Sequence, residues 1–423
     1  MRNKDRATLR LGPGLITGAC NDDPSSVGTY SQVGAQFGYT LAWTLPFSFP
    51  LLVAVQEISA RIARVSGLGI AGNLRRHCPH WLAAALILLL AAANLFNQAA
   101  DLGAMGAVLR LLTGAPALLY VCLLGTASVL IEVLSRYARY VWLLRWLSLS
   151  LLSYVASAFM VEVPWGEMAR ALLWPPLPRS PQYLLAVLAA LGTTISPYLV
   201  FWQAQQEVEQ GHQGSAAALL DAIEQAPEEF ARIRLDTLIG MGLAGIVALF
   251  IVITSASTLH AHGVQTIHSA AQAAEALRAV GGRFTFILFA LGIIGAGLLA
   301  LPALSGSTAY AVGELLRWPV GRRHARHRAR AFYATIGTAT ALAVGLNFMP
   351  LDPMRALYFS SVLNGVICVP LLAAVMYLAS NERVMGALPL SAGLRVLGWL
   401  TVATPWHAAS QGWRSDGSCA FER

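Results

Sequence analysis

Charge is what this chain lacks most: Asp, Glu, Lys and Arg make up only 12% of its 423 residues, against roughly 25% in soluble domains. So few charges cannot clothe a water-facing surface, which excludes an ordinary soluble globular protein. Cysteine is scarce as well. Cys20, Cys78, Cys122, Cys368 and Cys419 are odd in number and widely spread, so the chain encodes neither a disulfide framework nor a zinc knuckle. No H-E-x-x-H segment and no nucleophile paired with a base stands on any apolar run, which leaves little support for a membrane-embedded enzyme, and no cofactor is expected. Gly67-Leu68-Gly69-Ile70-Ala71-Gly72 satisfies G-x-G-x-x-G, but it follows a helix-length apolar run and not a strand, so it reads as a loop. The first apolar run has no small-residue cleavage site and is followed by others, so no cleaved signal peptide is expected.

What is present is apolar length. The composition is 56% hydrophobic with a mean hydropathy of +0.59, and runs recur that match the roughly 20 residues a helix needs to cross a bilayer core. They fall near 11–35, 40–63, 82–111, 115–135, 142–163, 181–203, 236–258, 283–315, 331–350 and 354–379, with a short, weak one near 392–406. The expectation is an all-α polytopic membrane protein with one transmembrane domain over 1–406 and a polar tail over 407–423. Thr404 to Arg423 leaves the apolar pattern, which predicts a truncated or partly inserted eleventh helix.

The net charge of +8 invites a nucleic-acid partner, but its placement argues for a lipid bilayer instead. Arg2, Lys4, Arg6 and Arg10 precede the first span, Arg61, Arg64, Arg75 and Arg76 follow the second, and Arg136, Arg139 and Arg145 follow the fourth. Arg317, Arg322, Arg323, Arg326, Arg328 and Arg330 lie between the eighth and ninth. If the spans alternate, all of these share one side, and the positive-inside rule makes it cytoplasmic, with the N-terminus. The 204–235 segment on that side is acidic, but acidic residues contribute little to orientation. The Arg and His run at 322–330 is suited to anionic headgroups. A multi-pass cell-membrane protein follows, with no nucleic acid and no obligate protein partner.

Two spans carry interruptions. Gly12-Pro13-Gly14 opens the first, and Asn21-Asp22-Asp23-Pro24-Ser25-Ser26 falls near its middle; Gly192-Thr193-Thr194-Ile195-Ser196-Pro197 does the same in the sixth. Proline removes a backbone donor and frees carbonyl oxygens in the preceding turn. Bare backbone at membrane depth is tolerated only where it lines a cavity or is buried in protein. Breaks five spans apart predict a five-plus-five inverted repeat, near 11–163 and 181–379, with the site at the repeat interface. Asp23 is the sharpest feature, because a mid-span carboxylate usually marks an ion pathway. It could also cap the second half-helix, and the two roles are compatible. The glycine pairs Gly14/Gly18 and Gly34/Gly38 suit close helix contact. His260, His262 and His268 lie on an outside loop, either simply solvated or able to catch a metal.

The run from Gly12-Pro13-Gly14 to Asp23-Pro24-Ser25-Ser26, continuing to Gly34-Ala35-Gln36-Phe37-Gly38-Tyr39, resembles the first helix of the NRAMP family of divalent-metal transporters. Arg234-Leu235-Asp236-Thr237 and Asp352-Pro353 carry the same resemblance. It implies a LeuT-type fold and movement of a divalent ion by alternating access. Members that carry manganese and iron show D-P-G-N where this chain keeps Asp23 and has Ser26 in the place of Asn. Their M-P-H in the sixth helix reads Ser196-Pro197-Tyr198 here. A thioether suits transition metals, whereas carboxylate, carbonyl, hydroxyl and water suit Mg²⁺, Ca²⁺ or Mn²⁺. The chain is in this respect similar to the NRAMP-related magnesium transporter branch. The implied ligands are Asp23, Ser26, Cys20, Thr193 and Ser196, the cysteine and threonine through their carbonyls, with Asn364 either completing the site beside Ser360 or serving as interhelical glue. The family's Asp and Glu pair in the third helix is reduced to Asp101 with Ala104, and the sixth-helix His is Tyr198, so strong proton coupling is not expected. Asp101 could still titrate, or pair with Asn97 or an Arg. The alternatives are a proton-coupled Mn²⁺ or Fe²⁺ symporter and a sodium-coupled amino-acid transporter. A fixed Asp23 opposes the second.

Overall fold

The computed structural model describes residues 12–134, 148–176, 178, 180–213, 218–265, 267, 270–321, 329–349 and 353–416. Arg2, Lys4, Arg6, Arg10, Arg136, Arg139, Arg145, Arg322, Arg323, Arg326, Arg328, His268, Asp352 and the tail from 417 lie outside the described residues. Among those described, all regular structure is helical. The helices are α1 (Pro13–Asn21), α2 (Pro24–Phe37), α3 (Thr44–Ser66), α4 (Ile70–His77), α5 (His80–Thr113), α6 (Ala117–Leu134), α7 (Leu152–Ala158) and α8 (Trp165–Leu173). They continue as α9 (Pro181–Thr194), α10 (Pro197–Gln213), α11 (Ala226–Ser255), α12 (Ala270–Leu316), α13 (Arg330–Leu346), α14 (Pro353–Ala379), α15 (Glu382–Met385) and α16 (Ala392–Asp416).

Seven helical stretches among the described residues are long and apolar enough to span a bilayer: Thr44–Ser66, His80–Thr113, Ala117–Leu134, Pro181–Gly211, Ile223–His260, Gly282–Leu316 and Ala356–Ala379. The expected first span is absent from this set because its break divides it into helices of 9 and 14 residues. The ninth, α13, has 17 residues. The short eleventh run near 392–406 lies in α16, which continues through Thr404 and Pro405 to Asp416 and is not among the seven stretches apolar enough to span.

Helix α1 is seated on α11 by glycine. A Cβ at Gly14 would come within 2.7 Å of the Thr237 backbone nitrogen, and one at Gly240 within 2.8 Å of Leu15 Cα. Gly18 meets the Gly240 backbone in the same way. At Gly34 a Cβ would lie 2.7 Å from the Val252 carbonyl oxygen, and Gly38, with φ of 58°, abuts His260. Gly14 and Gly18 thus form a backbone contact surface, and Gly34 and Gly38 leave room for the Val252 carbonyl and the His260 ring; such close approach is how helices gain attraction where lipid removes the hydrophobic drive. Asp236 completes this contact by accepting from the backbone N–H of Gly12 at 3.0 Å, Gly14 at 2.7 Å and Leu15 at 3.3 Å. These are the free donors at the start of α1. In the other half, Gly192 at the end of α9 sits against the Ser361 carbonyl and Gly365 of α14.

The acidic 204–235 segment has a structural explanation. Arg232 binds Glu207 at 2.6 Å and Glu229 at 3.2 Å, and Arg64 of α3 reaches Glu229 at 3.2 Å. Two of its carboxylates therefore neutralise arginines and tie α3, α10 and α11 together.

Candidate cation site at the crossed helix breaks

Both interruptions appear where the prolines place them. Helix α1 stops at Asn21 and α2 starts at Pro24; α9 stops at Thr194 and α10 starts at Pro197. Pro24 and Pro197 each begin a helix, where the missing N–H costs nothing, so each break is a C-terminus followed at once by an N-terminus. The breaks touch: the Ser26 and Thr193 hydroxyls lie 2.8 Å apart, and Ser26 Oγ also donates to the Asn21 carbonyl at 2.8 Å.

Asp23 is the hub. It is the N-cap of α2, accepting from the Ser26 N–H at 2.7 Å and the Ser25 hydroxyl at 2.8 Å through Oδ1. Its Oδ2 receives the Asn97 amide at 3.0 Å and faces the Tyr198 hydroxyl at 3.1 Å. The same hydroxyl lies 2.8 Å from the Cys20 carbonyl oxygen, so one phenol proton serves two acceptors. Asp23 is 1% exposed; its expected role as the cap of α2 is observed, and it stands at the centre of a buried polar network. The site is closed in this conformation.

Of the six expected ligands, Asp23, Ser26 and, through its carbonyl, Cys20 join this network directly; Thr193, expected to offer its carbonyl, joins through its hydroxyl instead, its carbonyl being taken by Ser196. The Cys20 thiol is turned away and donates to the Leu299 carbonyl at 3.4 Å. Ser196 was expected to face the pocket, but its hydroxyl folds back onto α9, donating to the Thr193 carbonyl at 2.8 Å. The reason is local. When the chain leaves the helix at Ile195, the last carbonyls of α9 lose their backbone donors, and Ser196 supplies one. Asn364 is buried on α14 with its amide nitrogen unpartnered, and no hydrogen bond joins it to Asp23. Asp101 pairs with neither Asn97 nor an arginine: its Oδ1 accepts from the Ser25 N–H at 2.9 Å, and its Oδ2 has no partner. His260 and His262 are engaged by the backbone oxygens of Ala35 at 2.9 Å and Thr258 at 2.6 Å, so a metal-catching role for them gains no support.

Sequence reasoning missed Asn97 and Tyr198 as members of the site. Asn97 bridges Asp23 and the Ser360 hydroxyl. A signal for it existed: Asn94, Asn97, Gln98 and Asp101 form one polar face on an otherwise apolar helix. No trio of His, Cys, Asp and Glu among the described residues could hold a metal by itself. Any cation here would lean on hydroxyl and carbonyl oxygens.

The comparisons agree with this architecture. The divalent metal cation transporters MntH of Klebsiella pneumoniae (strain 342) and Yersinia enterocolitica are each 27% identical, over 96% and 95% of this chain and 94% of each relative. A crystal structure of the Eremococcus coleocola manganese transporter with an aromatic bis-isothiourea compound superposes with a TM-score of 0.73 at 19% identity, covering 98% of this chain and 88% of that one. Mhp1, a nucleobase-cation-symport-1 family transporter, gives 0.56 at 16% identity over 96% and 93%. The fold is therefore that of the LeuT-type transporters. The family model for natural resistance-associated macrophage protein-like chains matches residues 14–407, and the chain belongs to that Nramp family of membrane transporters.

Proposed function

We propose that this protein carries a divalent metal cation across the cell membrane by alternating access, with its N-terminus cytoplasmic, and that Mg²⁺ is preferred over softer ions. The observation that carries the preference is the chemistry gathered at the breaks. Asp23, the Ser25, Ser26, Thr193 and Tyr198 hydroxyls and the Cys20 carbonyl are all oxygen ligands, while the Cys20 and Cys368 thiols donate to the Leu299 and Ile195 carbonyls. Mg²⁺ keeps several waters and is usually held by one or two carboxylates, and such a set can exchange its internal hydrogen bonds for a hydrated ion. The relatives' names, divalent metal cation transporter and manganese transporter, support the wider class.

Coupling to protons is weak in this proposal, because Ala104 and Tyr198 replace the groups that the resemblance leads one to expect. A proton-coupled Mn²⁺ or Fe²⁺ symporter stays in play on one observation, the unpartnered Asp101 Oδ2 beside the site. Uptake into proteoliposomes with Mg²⁺, Mn²⁺ and Cd²⁺ in turn, with a pH dye inside, separates the two. Mg²⁺ uptake without lumen acidification is expected. Stoichiometric acidification with Mn²⁺ and no Mg²⁺ uptake overturns the proposal.

A further inference from the structure

Two connections at one end of the helix bundle border an open cavity of about 470 Å³. The first is α4, which lies between α3 and α5; the second is the α14–α15 junction, and α4 packs against α14. Arg76 and His77 line the cavity from α4, and Tyr377, Ser380, Asn381 and Arg383 line it from the junction. No carboxylate belongs to this lining among the described residues. Glu382 is exposed and is not part of it.

Three basic side chains thus meet from elements far apart in the sequence. Neither Arg76 nor Arg383 takes part in a described ion pair. Burial, and next the charges of Arg76 and Arg383, push the His77 imidazole below its ordinary range, so both arginines act on it across the cavity. Basic residues suit the last turn of α4, where the helix dipole is negative, but Arg383 lies on another element and that dipole does not explain it. Like charges gathered without an acid repel one another, and an anion between them reverses the sign. The rest of the lining fits the same ligand. Asn381 Oδ1 accepts from the Arg383 N–H at 2.9 Å, which leaves its amide nitrogen to donate, and Ser380 and Tyr377 bring hydroxyls. Arginine forks bind phosphate through paired hydrogen bonds. The level of the cavity selects the source of that phosphate. Tyr377, 49% exposed, stands in the last turn of the spanning stretch Ala356–Ala379, the depth at which tyrosines meet headgroups. Charge placement assigns this end to the cytoplasm, whose leaflet carries anionic lipids.

We propose that the cavity between α4 and the α14–α15 junction binds the phosphate of an anionic phospholipid headgroup, held by Arg76 and Arg383. The proposal goes beyond metal transport, and its test uses no metal ion. Delipidated full-length protein in neutral detergent should bind dioctanoyl phosphatidylglycerol saturably by isothermal titration, and dioctanoyl phosphatidylcholine at least roughly tenfold more weakly. Arg76→Gln and Arg383→Gln should each weaken phosphatidylglycerol binding about tenfold. Both side chains are exposed, so the melting temperature of the lipid-free variants should stay at the wild-type value. Arg395→Gln, which removes the same charge from the exposed first turn of α16, should bind the lipid as the wild type does. Equal weakening in all three variants would reduce the effect to net charge and overturn the proposal, as would unchanged binding in both cavity variants. Inorganic phosphate that binds as tightly as the lipid, with the same dependence on Arg76 and Arg383, would make the ligand a soluble anion and overturn the lipid assignment.

Discussion

The hydroxyls of Ser26 and Thr193 meet at 2.8 Å, joining the two helix breaks side chain to side chain across 167 positions of sequence. Through this contact the second half of the chain completes a site whose charge comes from the first half. Ser26 also caps the Asn21 carbonyl and gives its N–H to Asp23, so a shift at one break is felt at the other. That linkage is what alternating access requires of a centre between two repeats.

Asp23→Asn keeps the shape of the side chain and removes the charge that offsets a dehydrating dication. Uptake should fall close to background, while thermal unfolding of the purified protein moves little, because an amide oxygen can still accept from Ser25 and Ser26. Wild-type uptake in this variant would remove Asp23 from the ion's path.

Tyr198→Phe tests a residue that only the structure brings to the site. The ring stays packed, but Cys20 and Asp23 lose the hydroxyl that faces them at 2.8 and 3.1 Å. A hydrogen bond to a charged group is worth about 1.5–3 kcal/mol, so a tenfold or larger change in Mg²⁺ affinity is expected, measurable by isothermal titration. An unchanged affinity would show that the phenol only closes the site.

Asp236→Ala removes the cap of α1 and strands three backbone donors. Loss of a charged N-cap costs about 0.5–2 kcal/mol, and the shared burial here puts the expected effect at the upper end, read as a lower melting temperature. Asp236→Asn should recover part of it. Equal melting of wild type and Asp236→Ala would mean that the glycine contacts alone hold α1 on α11.

The sequence made local features legible and left the tertiary ones hidden. Pro24 and Pro197 mark both breaks because proline's ring and missing N–H act on its immediate neighbours, whatever surrounds them. Asp23 was legible for a similar reason, since a mid-span carboxylate is costly anywhere. The cap that Asp236 gives to Gly12 and Gly14 was not, because it joins groups more than 220 positions apart. Tyr198 could be seen as a substitution, but its reach to Asp23 depends on how α10 crosses α1. Ser196 shows the opposite error: its place before Pro197 suggested a pocket-facing side chain, and the nearer demand of the Thr193 carbonyl took its hydroxyl.

That correction changes what substitutions at position 196 should do. Ser196→Ala removes one hydrogen bond to the Thr193 carbonyl, which costs about 1 kcal/mol of stability, and leaves ion preference as it was. Ser196→Met loses the same bond but adds a flexible thioether two residues before the side chain that meets Asp23. The three rotatable bonds of methionine let it fill irregular gaps, and its sulfur favours Mn²⁺, Fe²⁺ or Cd²⁺ while occupying space that the waters of Mg²⁺ need. Cd²⁺ should therefore inhibit Mg²⁺ uptake more strongly in Ser196→Met than in the wild type, by roughly tenfold, or ~1.4 kcal/mol, with Ser196→Ala matching the wild type. The alanine variant separates the loss of the hydroxyl from the gain of sulfur. If Cd²⁺ inhibits all three alike, position 196 lies outside the ion's reach, and the hard-ion preference must come from Ser26 and the carbonyls instead.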